Sequence, residues 1–169
     1  MKPLLLSAAG AMALAAFVAF VARPALAQNA TQIEHARGGA SCPHCNLFQA
    51  DFSNLEMKDR DFAGARLRQA DMSAAVMNYT TMAGADLRDV NAYGAVFTGV
   101  SFAGANLTNA SFVGTYLEGA NFRGANLSGV NFSGAEMDRA LGLTQAQLSE
   151  ACGDESTTLP RGLRLRSCG

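Results

Sequence analysis

From Ala40 to Arg139 the chain divides every five residues without an insertion, giving twenty units in one frame. Its middle reads "ADLRD VNAYG AVFTG VSFAG ANLTN ASFVG TYLEG ANFRG ANLSG VNFSG". The third position is Leu, Phe or Met in every unit except those with Cys42 and Ala92. The first is mostly Ala, with Val90, Val100 and Val130 among the exceptions, the second is usually polar, and the fifth is Gly in half the units. A helix repeats every 3.6 residues and a strand every two, so neither yields a period of five. The chain must return two inward positions per unit and then turn a corner.

A four-sided coil satisfies that demand. Each unit forms one side, its small first residue and large third residue point inward, and twenty residues complete a turn. Gly at the fifth position supplies the positive φ that a type II turn requires at its third residue. Successive turns then stack at the β-ladder spacing, and five of them make an all-β solenoid rod roughly 24 Å long. Residues twenty apart should stand in file. One such column is Leu47, Leu67, Leu87, Leu107, Leu127, and beside it run Cys45, Ala65, Ala85, Ala105 and Ala125. Another is Phe62, Met82, Phe102, Phe122. Columns this uniform favour four sides over three.

The units "ADLRD", "ANLTN", "ANFRG" and "ANLSG" resemble the A-(D/N)-L-x-x signature of the pentapeptide repeat family. The resemblance implies a right-handed quadrilateral β-helix, and most members of the family have no established activity. Some cytoplasmic members of that family mimic DNA and protect gyrase, with strongly acidic surfaces. The repeat region here carries seven basic and ten acidic residues, a weak match to such mimicry.

Two units depart from the pattern. Ala92 leaves a gap between Met72 and Phe112, which those larger side chains are expected to fill. Arg60 stands where a small buried residue belongs, so the coil should bulge near "MKDRDF" and release the guanidinium to solvent or an acidic neighbour. The alternative reading of Arg60 is a ligand-binding arginine.

Both ends of a solenoid need covering. "GLTQAQLSEAC" offers Thr144 with Gln147 as a capping box and an apolar stripe from Leu143 and Leu148, predicting a helix over about 144–151. The tail resembles those of exported family members, and that resemblance implies a Cys152–Cys168 bridge closing the segment 140–169. Residues 28–39 are expected to form an arm or short helix over the first turn. Before them, residues 1–27 read as a secretory signal peptide: Lys2, an apolar run, and "PALA" ahead of Gln28. An uncleaved N-terminal membrane anchor is the rival reading. Cleavage would remove Lys2 and Arg23, taking the formal charge from −1 to −3 and leaving no basic patch suited to nucleic acid. A periplasmic or secreted location favours disulfides.

"CPHC" (Cys42–Cys45) then has two readings. In the repeat frame the two cysteines are the first and fourth residues of one corner. A β-turn brings such Cα atoms within about 7 Å, close enough for a Cys42–Cys45 staple. The rival is thiol–disulfide exchange, because the same spacing serves periplasmic disulfide oxidases. Those need a helix opening at the motif to lower the thiol pKa, and no helical pattern follows Cys45. Free thiols and a metal stay open, although His35 and His44 are a thin pair of further ligands.

The outward columns are the remaining source of function. Val76, Val96 and Tyr116 stack on one side with Tyr79 at its corner, an apolar ridge suited to a protein partner. Another side carries Arg66, Arg68, Asp86, Arg88 and Asp89, where Arg66 is expected to pair with Asp86 across turns. The adjoining sides offer Asn columns (Asn106, Asn126, Asn121, Asn131), and the remaining side is nearly bare, with Ala63, Ala83 and Ala103 beside Gly64, Gly84 and Gly104. Flat sides of this kind also suit a second copy of the chain. No nucleophile–base pair or phosphate loop appears, and no cofactor is expected. The sequence therefore points to a non-enzymatic scaffold, with a thiol–disulfide oxidoreductase as the alternative.

Overall fold

The computed structural model describes residues 29–169, so the proposed signal segment 1–27 lies outside the described residues. Along the repeats, residues twenty apart pair in parallel. One side runs Asn46, Arg66, Asp86, Asn106, Asn126, and the next runs Asp51, Asp71, Asn91, Ser111, Asn131. Each side contributes only its second residue to such a bridge before the chain turns, so the repeats form no extended strands. Axial hydrogen bonds hold the turns together: the Leu47 N–H donates to Arg66 (2.8 Å), Gln49 to Arg68 (3.0 Å), and Arg66 back to Cys45 (2.8 Å).

The core is built from the inward first- and third-position residues of all four sides. Leu47, Leu67, Leu87 and Leu107 are fully buried and Leu127 nearly so, as are Phe62, Met82, Phe102 and Phe122. Burying each such side chain stabilises by about 1.5–3 kcal/mol before chain entropy is subtracted. Phe102 and Phe122 stack with centroids 5.2 Å apart. Around Ala92, which is fully buried, Phe97, Phe102 and Phe112 pack mutually at 5.6–5.9 Å. Phe112, one turn on from Ala92, is one of these rings, and Met72, one turn back, is buried as well.

At the corners the fifth residue takes positive φ from His44 to Gly134, glycine or not; Arg139, which ends the last unit, does not. Gly64 and Gly84 lie at 63° and 64°, and Gln69, Ala74, Tyr79 and Asp89 at 54–59°. The turn is closed by the next first residue, as Ala65 donating to Phe62 (3.0 Å). Among the described residues this bond is missing at Arg60 and at Thr80, one turn further on. Arg60 is exposed, and the Met57 carbonyl that its N–H would have met accepts the buried Thr80 hydroxyl instead (3.1 Å).

The second position has a local duty. Its side-chain oxygen accepts from the N–H two residues on: Asn106 from Thr108 (3.1 Å), Asn121 from Arg123 (3.0 Å), Asn126 from Ser128 (3.0 Å), Asn131 from Ser133 (2.9 Å). These Asx-type bonds satisfy an outward N–H at each corner, which is why Asp and Asn recur there.

Helix α1 (Ala30–Arg37) covers the first turn. Asn29 caps it by accepting from the Gln32 N–H (3.2 Å), and Ile33 and Ala36 are buried against the coil. Gln32 accepts from the Asn46 N–H (2.7 Å), and Arg37 pairs with Asp51 (3.3 Å). At the other end Leu141 pairs with Asn121, and helix α2 (Gln145–Ser149) replaces the next side. Thr144 and Gln147 form the capping box, and the Gln147 amide donates to Phe122 and Ala125 (2.9 Å each). The helix is shorter than the expected 144–151. Thr144 is its cap, Gly129 donates to the Glu150 carbonyl (2.8 Å), and Ala151 is back in the core.

The stack then resumes out of step, Asn131 with Cys152 and Glu136 with Thr158, at offsets of 21 and 22 residues. Strands β1 (Cys152–Gly153) and β2 (Arg166–Ser167) pair in parallel in the tail. Cys152 is bonded to Cys168, their Cα atoms 5.0 Å apart.

Candidate interaction surface

Val76, Val96 and Tyr116 bridge one another in file, preceded by Glu56 and followed by Glu136. The corner geometry makes this column project: each residue is the second of its unit, directly after an inward Ala or Thr, so its side chain points outward. All three are half-buried by their neighbours, whereas Tyr79 at the corner is 64% exposed. The Tyr79 ring lies over Gly99 of the next turn, where a Cβ would come within 2.7 Å of it.

Tyr93 is 61% exposed on the adjoining side, one residue before the corner that leads to Val96. The column reading missed it, because it occupies a fourth position whose neighbours above and below are Ser73 and Val113. Listing every aromatic at an outward position would have found it. Tyr79 and Tyr93 thus lie at opposite edges of the side that carries the valines.

The ridge ends in charge at both extremities, and the two differ. Near the first turn Lys58 pairs with Glu56 (2.6 Å). Near the last, the Tyr116 hydroxyl donates to Glu118 (2.5 Å), and Glu118 also pairs with Arg139. The bond to Glu118 pushes the Tyr116 phenol up, while Tyr116 and Arg139 hold the Glu118 carboxyl below its ordinary value. Tyr116, Glu118, Glu136, Asp138 and Arg139 line a shallow cleft of about 190 Å³. Glu136 and Asp138 enter no ion pair among the described residues.

The charged side is arranged differently from expectation. Asp86 is held by Arg88 of its own unit through two bonds of 2.7 Å, which lowers its pKa, and Arg68 pairs with Asp89 (3.3 Å). Arg66 lies over the Phe48 ring at 5.3 Å. The predicted Arg66–Asp86 pair is therefore replaced: a fork two residues away in the same side reaches Asp86 bidentately, and an aromatic face attracts the other guanidinium.

In the first turn Cys42 and Cys45 are bonded across a corner, with Cα atoms 5.5 Å apart and a Cys45-to-Cys42 turn bond of 3.3 Å. Cys42 belongs to the core. His44 takes the corner with φ 57°, and its ring lies over Gly64. No helix opens at the pair; α1 ends before it. A further open cavity of about 310 Å³ in the tail is lined by Gly153, Asp154, Glu155, Leu165, Arg166 and Ser167. Among the described residues no group of His, Cys, Asp and Glu is placed to hold a metal, and no helix is long and apolar enough to cross a membrane.

A family model for pentapeptide repeats, in eight copies, matches residues 56–91, 86–124, 105–141 and 115–152, more than half of the chain. No curated protein sequence matches significantly. Among solved structures, the chain is similar to a pentapeptide repeat protein of the Arabidopsis thaliana thylakoid lumen. Identity is 26% over 64% of this chain and 60% of that one, with a TM-score of 0.29. It is similar to HetL of Nostoc sp. strain PCC 7120 at 20% identity over 77% and 63%, with a TM-score of 0.36. It thus spans less than two thirds of the length of either structure. The pentapeptide repeat protein Rfr23 of Cyanothece 51142 is 21% identical over 78% of this chain and 97% of its own, with a TM-score of 0.34. Proteins of this kind fold as right-handed quadrilateral β-helices and are usually non-enzymatic interaction scaffolds. With its twenty uninterrupted units and its family-model match, this chain belongs to the pentapeptide repeat family.

Proposed function

We propose that this chain is an exported, non-enzymatic scaffold that presents the Val76–Val96–Tyr116 ridge to a protein partner in the cell envelope. The observation that carries the reading is the register of that column. Three apolar side chains are fixed one turn apart on a backbone pinned by axial hydrogen bonds, so ordering them on binding costs little further entropy. Export rests on the signal-like segment 1–27 and accords with two disulfides and no free cysteine among the described residues. The Cys42–Cys45 pair acts as a staple for the first turn, since Cys42 is packed into the core and no helix N-terminus lowers a thiol pKa there.

The test is capture of envelope proteins by the purified chain, compared with Val96→Asp and Tyr116→Asp. Wild type should retain a partner that both variants lose while keeping wild-type thermal stability. Equal recovery by all three would exclude the ridge as the binding face. Turnover of a reduced protein substrate by the oxidised chain would instead support the oxidoreductase alternative.

A further inference from the structure

We infer that the ridge receives one amphipathic α-helix of a partner protein, aligned with the rod and carrying a Lys or Arg opposite Glu136 and Asp138. The inference rests on the ridge being the binding face. Spacing selects the element. From Val76 through Val96 and Tyr116 to Glu136 the column takes three turn steps, about 14 Å in all. A helix displays successive residues on one face at i, i+4, i+7 and i+11, a span of about 16 Å. A strand shows every second residue, so four on one face cover about 20 Å and fall out of step by more than one position. The helix mismatch of about 2 Å is within side-chain reach.

Charge selects the chemistry and the orientation. At the first-turn end Glu56 pairs with Lys58, and Asp59 and the exposed Arg60 follow in the chain, so the charges there sum to zero. At the other end Glu118, Glu136 and Asp138 face one cation, Arg139, which Glu118 already engages. The apolar column thus runs into a cleft with an excess of carboxylate, and a basic residue one helical step beyond three apolar ones would enter it. Tyr79 and Tyr93, exposed at the two edges, supply aromatic flanks to such a helix.

The test titrates the full chain with labelled, Ala-based helical peptides of about 18 residues bearing Leu at i, i+4 and i+7. One peptide carries Arg at i+11 and a second Glu, and a third places the same residues in an alternating, strand-forming order. The Arg helix should bind about fivefold or more tighter than the Glu helix, and Glu136→Lys should reverse that preference. Equal binding of the two helices, tighter binding of the alternating peptide, or no binding of any would overturn the inference. Capture of an envelope partner that is lost in Val96→Asp, alongside failed peptide discrimination, would leave the ridge as the interface and remove only the helix. Capture unchanged in Val96→Asp would remove both.

Discussion

The Thr80 hydroxyl donates to the Met57 carbonyl one turn below it, the acceptor left open because the corner at Arg60 does not close. A buried threonine thus repairs the one place where a charged residue entered the small inward column. Thr80→Val keeps the shape and removes the donor, so it should destabilise by about 1–2 kcal/mol. Arg60→Ala lets the corner close on Met57 and should be neutral or stabilising, by up to about 1 kcal/mol. Urea midpoints of the two variants decide it, and a stable Thr80→Val would show that the hydroxyl is dispensable.

Glycine at a corner serves two purposes that two substitutions separate. Gly94 has φ 63° with open space where a Cβ would go, so Gly94→Ala should cost only the left-handed backbone, about 1 kcal/mol. Gly99 has φ 65° and the Tyr79 ring above it, so Gly99→Ala should cost more, and the excess should vanish in Tyr79→Ala/Gly99→Ala. Conversely, Ala74→Gly (φ 54°) should stabilise by about 1 kcal/mol. Thermal melts of the four variants test the set; equal losses at Gly94 and Gly99 would mean the ring simply swings aside.

The Cys152–Cys168 bond closes a segment of 16 residues' separation at the end of the stack. Cys168→Ser should lower stability by about 3 kcal/mol and loosen β2 first. Hydrogen exchange should show the position-168 amide, which in the bridged chain donates to Gly153 (2.9 Å), exchanging faster in the variant than in wild type, with the mid-rod amides unchanged.

Asp154 organises the tail turn. It accepts from the Ser156 hydroxyl (2.7 Å) and from the backbone N–H groups of Gly134 and Ser156 (3.0 Å each), which lower its carboxyl from 3.8 to about 2. A depressed carboxylate contributes stability that is complete above its unfolded value and is lost as pH falls through the folded one. The Gly134 amide shift should therefore titrate with a midpoint near 2, and Asp154→Asn should flatten it. A midpoint at 3.8 would mean the carboxylate is unperturbed.

The coil was legible because a period of five with a large third residue admits few other solutions, and the Leu47 to Leu127 file follows from it. Less legible was everything decided by reach rather than register. Arg66 chose the Phe48 ring over Asp86 because Arg88 already forked onto that carboxylate, a competition between side chains that column order does not encode. Column order shows Asn106 and Asn131 only as polar surface, since their acceptor role appears once the corner is built. The offsets at Cys152 and Thr158 were hidden for a different reason: α2 and the tail follow no repeat.

The pairing of second-position residues twenty places apart along the repeats has a consequence for how such a chain can change length. Inserting a single five-residue unit before Val96 would swing all that follows through a quarter-turn, carrying Val96 and Tyr116 onto the flank away from Val76. Only whole rounds of four units can be added or lost between Val76 and Tyr116 without scattering the ridge, so homologues that keep the proposed binding face should differ there by multiples of twenty.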